Sequence, residues 1–429
     1  MAIPVTRGDV VTVTPEKPAA GGRMVARYEG LVLLVSGAIP GEPARVRIER
    51  VEKSLAYAAV VEPLQAHAAR RPVAIDPRCG GTVYAHIRYD EQLRLKGEII
   101  RDAITRLGRL PAPDAIVVVP SPETAYRMRA RLHVRDGRVG YFLEGTHQIC
   151  DAALTGQLLP DAVRAVHQLV GDLTAAGLGG AADLELSENR AGDERAIHIE
   201  YPSEAPAPPT SWSALRPVPG LTGLSWSQAP AVGEARVFGQ PLVHDTIAGA
   251  TLRRHTRAFF QSNRFLIDDL VAAVMDACPD GLVIDLYAGV GLFGVCLAAG
   301  GRHRVIAVEG HPASAADLAA NAGPFGDAIA VAHQSVERFV AGPRPDGSFT
   351  LVLDPPRSGM TKKAVTGAIA LGAARVVFVS CDAATFARDL RRFVDAGYRL
   401  SSVRGFDLFP ATAHVEALAV LTRSSDRPR

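Results

Sequence analysis

Val283-Ile-Asp-Leu-Tyr-Ala-Gly-Val-Gly-Leu-Phe-Gly294 decides the fold. The run Val283–Tyr287 reads as a strand, and Ala288–Gly294 reads as a glycine-rich turn that opens a helix. Glycines there permit a tight turn and a close approach of backbone to a ligand. A G-x-G-x-x-G run alone is weak, but this one has the strand before it and the helix after it. Short apolar runs then alternate with helical segments, at Leu282–Leu286, Val305–Glu309, Phe349–Asp354 and Val376–Ser380. Such alternation predicts βαβ units around a mostly parallel sheet, an α/β Rossmann-like domain over residues 246–429. A helix is expected just upstream, over Thr256–Cys278.

The loop also speaks about its ligand. The second strand ends in Glu309, 20 residues beyond Gly289, where a carboxylate accepts both hydroxyls of a ribose. A dinucleotide and S-adenosylmethionine both fit that frame, as does a turn with no ligand. Asp285 lies inside the first strand, just before the loop. An acid there repels a pyrophosphate and suits the cationic amine of a methionine moiety. Electrostatics therefore favours S-adenosylmethionine, with Gly289 and Gly291 shaping the turn and Glu309 at the ribose.

Working outward, the 429 residues are too many for one ordinary core and suggest several domains. The first 60 residues alternate in short runs, such as Val46-Arg-Ile-Glu-Arg-Val51, with turn signals between them. That spacing predicts a small OB-like β-barrel. Between the barrel and the α/β domain, a central α+β domain is expected. It would hold a helix over Glu91–Leu107 and a strand from Tyr126 to Arg135. Arg127, Arg129, Arg131, His133 and Arg135 share one face of that strand, with no acid among them. A solvated face and a phosphate-binding face read alike here. Pro202–Gly220 reads as a loop. The expected boundaries are 1–62, 63–245 and 246–429.

Composition excludes several classes. Hydrophobic residues make up 48% and charged residues 21%, which argues against disorder. Lys plus Arg is 47 against 45 for Asp plus Glu, so any nucleic-acid footprint must be local rather than global. No secretory signal opens the chain, and no apolar run is long enough to span a membrane. Five widely spaced cysteines suggest a reducing compartment, hence the cytoplasm, and no disulfide framework.

Two further strand ends carry chemistry. Asp354-Pro-Pro-Arg357 follows an apolar run, placing Asp354 at the sheet's carboxyl edge, where ligands bind in doubly wound folds. Ser380-Cys381-Asp382 ends the next strand at that edge. Phe406-Asp-Leu-Phe-Pro-Ala-Thr-Ala-His-Val-Glu416 precedes a last apolar run. One cysteine, one base and one methyl donor are the minimum apparatus for methylating C5 of a pyrimidine. A thiolate added at C6 makes C5 enolate-like, and a base must later remove the C5 proton. The buried-looking Cys278 and Cys296 read as core residues.

These motifs, with Phe259-Phe-Gln261-Ser-Asn263, resemble those of the uracil-5 RNA methyltransferase family over nearly the whole chain. The N-terminal stretch is similar to a TRAM domain, an RNA-binding barrel. The resemblance implies Cys381 as nucleophile and Glu416 as base. It implies Gln261, Tyr287, Glu309 and Asp354 as contacts to S-adenosylmethionine. Gln261 and Asp354 would also meet the uracil edge, and Phe259 the extruded base. Arg127, Arg129 and Arg131 are the candidate RNA contacts. The implied partner is a ribosomal or transfer RNA, and the implied protein is a cytoplasmic monomer.

Two positions depart from the family pattern. Some members hold a four-iron cluster on four cysteines. Here Val73 and Thr82 stand at flanking ligand positions, leaving Cys79 and Cys150. Two thiolates are too few, so an iron–sulfur cluster and any other metal are expected to be absent. Ser335 stands where many methyltransferases have an acid for the adenine amine. The competing readings are an RNA cytosine-C5 methyltransferase, a noncatalytic RNA-binding protein that keeps the cofactor fold, and a dehydrogenase.

Overall fold

In the N-terminal stretch, apolar residues alternate with charged ones and the chain pleats accordingly. Ala44–Val51 buries Ala44, Val46 and Ile48 and exposes Arg45, Arg47 and Glu49. Six such strands form one sheet in the order Val10–Val13, Ala44–Val51, Leu55–Pro63, Leu31–Ser36, Met24–Tyr28, Lys17–Pro18. Two register shifts between Ala44–Val51 and Leu55–Pro63 bend it around its core. The computed structural model describes residues 4–204, 216–228 and 236–423, so part of the Pro202–Gly220 loop lies outside the described residues.

A seven-stranded, mostly antiparallel sheet follows, with Arg129–Arg135 between Arg138–Phe142 and Ala182–Glu188. The helix Pro160–Ala175 covers it. That helix buries Ala162, Ala165, Val166, Leu169, Val170 and Leu173, one stripe at helical spacing. A hairpin, Leu242–Ile247 with Ala250–His255, leads into the last domain.

There the sheet has eight strands. Their order is Ile329–His333, His303–Glu309, Gly281–Leu286, Phe349–Leu353, Arg375–Ser380, Glu416–Arg423, Tyr398–Phe406, Val118–Val119. The first five are mutually parallel, and Glu416–Arg423 runs antiparallel to both neighbours. The strands Gly281–Leu286 and Phe349–Leu353 are almost wholly buried, as a sheet covered on both faces requires. The strand order reverses beside Gly281–Leu286, and that switch point opens the crevice for a ligand.

Three findings bear on the expectations, the last two as corrections. First, elements within residues 63–245 join both neighbouring sheets. Val118–Val119 adds the edge strand to the eight-stranded sheet. The helix Tyr89–Asp102 lends Ile100 to that sheet's core and Leu95 to the barrel's core.

Second, the helix expected from Thr256 begins only at Ile267. Asn263 intervenes. Its Oδ1 accepts the N–H groups of Phe265 (2.9 Å) and Leu266 (3.1 Å), an alternative to a helical turn. Its backbone bridges to Arg127.

Third, Cys79 and Cys150 are joined in a disulfide, with Cα atoms 5.8 Å apart. Cys79 bridges Leu143, while the strand Ile149–Asp151 pairs with Arg138–Phe142. Topology thus unites two cysteines 71 residues apart, which spacing alone did not indicate.

Candidate active site at the carboxyl edge of the sheet

The first strand delivers Asp285 and Tyr287 to the crevice. Asp285 is fully buried, and its Oδ2 accepts the Gly294 N–H at 2.8 Å. A side chain at 294 would press on that carboxylate, because a Cβ there would sit 2.8 Å from Oδ2. Gly291 has φ +98, a left-handed conformation that caps the helix Leu292–Ala299. A Cβ there would also clash with the Val295 side chain. Tyr287 follows the strand at φ +66, turning the chain towards Ala288 and Gly289. Glu309 grips the turn from the next strand. Its Oε2 accepts the Gly289 N–H (2.8 Å) and its Oε1 the His311 N–H (2.6 Å).

This edge is acidic. Burial pushes the Asp285 carboxyl up to about 8, and Asp354 and Glu309 add repulsion. Among the described residues, Asp285 Oδ1 has no hydrogen-bond partner. A cation beside these carboxyls would draw them towards their ionised form, and S-adenosylmethionine, with its ammonium and sulfonium, fits that demand. Ser335 is spent locally: its side chain accepts the Arg338 N–H and caps a short helix.

Register builds the chemical half of the site. Ser380 pairs with Ala417 across antiparallel strands, so the next pair outward is Cys381 and Glu416. Direct cross-strand neighbours hold their Cβ atoms roughly 4.5–5.5 Å apart. Asp354 emerges from the adjoining parallel strand, where Leu353 pairs with Phe378. Gln261 Nε2 donates to Asp354 Oδ2 at 3.3 Å.

The three reactive groups press on one another. Burial and the nearby Asp354 raise Glu416 well above the usual carboxylate range, while Arg357 draws it down. Burial, opposed by the Gln261 hydrogen bond, raises Asp354. Burial, with the charges of Glu416 and Asp354, pushes the Cys381 thiol up to about 12, again opposed by Arg357. Glu416 Oε1 has no hydrogen-bond partner among the described residues. Cys381 is free, as are the buried Cys278 and Cys296.

The RNA-facing candidates divide. Phe259 is 59% exposed, with the Arg129 guanidinium 5.9 Å from its ring centroid. Arg127 stands 5.7 Å from the Phe409 ring and donates to Gln157 Oε1 at 2.8 Å. The cationic face of this strand is nevertheless not bare. The neighbouring strand sets Glu185 against Arg129 (3.1 Å) and Asp183 against Arg131 (2.6 Å) and His133 (2.8 Å). A single strand's sequence cannot show the acids across from it. Arg357, the closing residue of Asp354-Pro-Pro-Arg, was not singled out from the sequence as a site residue. Its Nη2 lies 2.8 Å from His414 Nδ1.

Among the described residues, no group of three or more His, Cys, Asp or Glu is placed to hold a metal ion. No described helix is long and apolar enough to cross a membrane.

Comparison with known proteins agrees with this geometry. The tRNA (Uracil-5-)-methyltransferase family model matches residues 346–424, and the TRAM domain model matches residues 4–61. An uncharacterized RNA methyltransferase of Streptomyces coelicolor is 32% identical, over 94% of this chain and 90% of its own. One of Streptomyces avermitilis is 31% identical, over 94% and 96%. The fold is similar to that of the Pyrococcus abyssi tRNA (uracil-54, C5)-methyltransferase, solved with S-adenosyl-L-homocysteine. That similarity has a TM-score of 0.73 at 22% identity, covering 96% of this chain and 100% of that one. The chain belongs to the TRAM-bearing family of S-adenosylmethionine-dependent RNA (uracil-5-)methyltransferases.

Proposed function

We propose that this enzyme methylates C5 of a uridine in a structured transfer or ribosomal RNA through a covalent Cys381–C6 adduct. The observation that carries the reading is that Cys381 and Glu416 each lie one position beyond the Ser380–Ala417 pair, with the charges of Glu416 and Asp354 acting on the Cys381 thiol.

The uridine must leave its stack, because a stacked ring does not expose C5 and C6 to groups on both sides. Phe259, exposed at the rim, is the ring that meets it. Gln261 and Asp354 face its polar edge. At rest the Cys381 thiol is neutral, and its proton passes to Asp354, whose proton affinity burial raises, which leaves the Glu416 carboxylate free for the later step. Sulfur then bonds to C6, and the C5–C6 π electrons move towards O4. The bound cofactor supplies an electrophilic methyl group for C5. Glu416 removes the C5 proton, and the electrons left behind expel the sulfur and restore the double bond. Its raised proton affinity makes it a stronger base than an ordinary carboxylate. The acids beside Arg129 and Arg131 limit non-specific phosphate binding, so Arg127 is the stronger candidate for RNA contact.

Tritium release tests the reading. Transfer and ribosomal transcripts carrying 5-tritiated uridine are incubated with enzyme and S-adenosylmethionine. One of them should release tritium in step with methyl incorporation. Methyl incorporation without tritium release would place the methyl group elsewhere.

A further inference from the structure

We propose that Gln92 and Lys96, on the helix Tyr89–Asp102, are positioning residues that hold the loop Asp407–Ala411 and so set the place of the Glu416 base. This inference rests on the role proposed for Glu416.

Strand pairing with Phe406 fixes the Glu416 backbone, but no group among the described residues hydrogen-bonds its Oε1. The space open to that carboxyl is set by the loop leading into it. The loop is gripped from outside the catalytic sheet. Lys96 Nζ is ion-paired with Asp407, both fully buried, and donates to the Phe409 carbonyl at 2.9 Å. One turn earlier on the same helix face, the fully buried Gln92 accepts the Ala411 N–H at 2.9 Å. The Gln92 amide is itself anchored, donating to the carbonyls of Ile87 (2.9 Å) and Tyr84 (3.2 Å). The Tyr84 N–H donates to the Ala411 carbonyl at 2.8 Å.

Ala411 is therefore held by both its backbone groups, at φ +61. That left-handed conformation is disfavoured for alanine, so the loop does not choose it unaided. Inside the loop, Thr412 Oγ1 donates to the Phe409 carbonyl (2.7 Å) and accepts the His414 N–H (3.1 Å), passing the constraint towards Glu416. Asn263 adds a donor to the Leu408 carbonyl at 3.2 Å. The gripping helix is itself fixed in two cores, through Leu95 in the barrel and Ile100 beneath the sheet.

A displaced base affects one step. Adduct formation and methyl transfer proceed, but the C5 proton stays and sulfur cannot leave. The test uses full-length Gln92→Leu and the double variant K96M/D407L. The double variant avoids stranding a lone Asp407 charge in an apolar site. Steady-state kinetics and denaturing gels are run with an RNA that the wild-type enzyme methylates.

Both variants should keep KM for RNA and lose kcat by on the order of 10²-fold, the scale of a one-ångström misplacement. Denatured samples should contain methylated RNA bound to enzyme above the wild-type level, as should Glu416→Gln. Either folded variant with wild-type kcat, or with lowered kcat and no accumulated adduct while Glu416→Gln accumulates it, overturns the grip. If Glu416→Gln itself accumulates nothing, the assignment of the base fails first and the inference falls with it.

Discussion

Asp285 shows how one buried acid links stability to ligand charge. Burial raises its carboxyl to about 8 from an ordinary 3.8, so between those values the folded chain keeps a proton that the unfolded chain releases. Its contribution to stability is present below the unfolded value and is lost as pH rises towards 8. In scanning calorimetry, the melting temperature of Asp285→Asn should therefore gain on wild type between pH 5 and pH 8. S-adenosylmethionine should narrow that gap by bringing a cation to the anionic form. A gap independent of pH contradicts this account. The acid was legible in the sequence because it interrupts an apolar strand. Its missing partner was not, because Oδ1 is orphaned by packing that no local pattern records.

At the scale of elements, strand ends and loops were readable to different degrees. Asp354 and Cys381 each follow an apolar strand run, so their shared edge followed from βαβ alternation, whereas Glu416 opens an antiparallel strand and its role came only from the family resemblance. The loop before Ile267 was misread as helix, since apolar spacing in Phe259–Leu266 imitates a helical stripe while Asn263 turns the chain. That loop is tied to the central sheet through Glu188. Its carboxylate, fully buried, pairs with Arg264 of the loop and with Arg195 at 2.7 Å. Glu188→Gln leaves two buried guanidinium groups short of a counter-charge. Breaking such a buried pair costs about 3–5 kcal/mol, which chemical denaturation reads directly. An unchanged midpoint would show that the arginines find water instead.

At the scale of the whole molecule, the barrel and the catalytic domain are not beads on a string. Tyr84, Ile87 and Leu95 lie in the barrel's core, and the helix that carries Leu95 also packs beneath the catalytic sheet. Deleting residues 1–62 bares that apolar surface, and the remaining chain should aggregate on expression rather than yield a soluble enzyme. A soluble, monodisperse fragment would refute that coupling. The sequence placed a barrel at one end and a methyltransferase-like fold at the other. It could not show that residues 89–119 cross between them, because a shared helix has the same periodicity as a private one. The acids across from Arg129 and Arg131 were hidden for a related reason: cross-strand neighbours are 52 to 56 positions away in the chain.

The central claim is that Cys381 sulfur bonds to C6 of a uridine. Replacing the C5 hydrogen by fluorine removes the proton that Glu416 must take, so the methylated adduct cannot resolve. Intact-mass spectrometry of enzyme mixed with S-adenosylmethionine and a 5-fluorouridine transcript of its substrate reads that adduct. Wild type should gain the mass of the RNA plus one methyl group, with the crosslink mapping to Cys381, and Cys381→Ala should gain nothing. An unmodified wild-type mass, or an adduct that survives in Cys381→Ala, contradicts the mechanism.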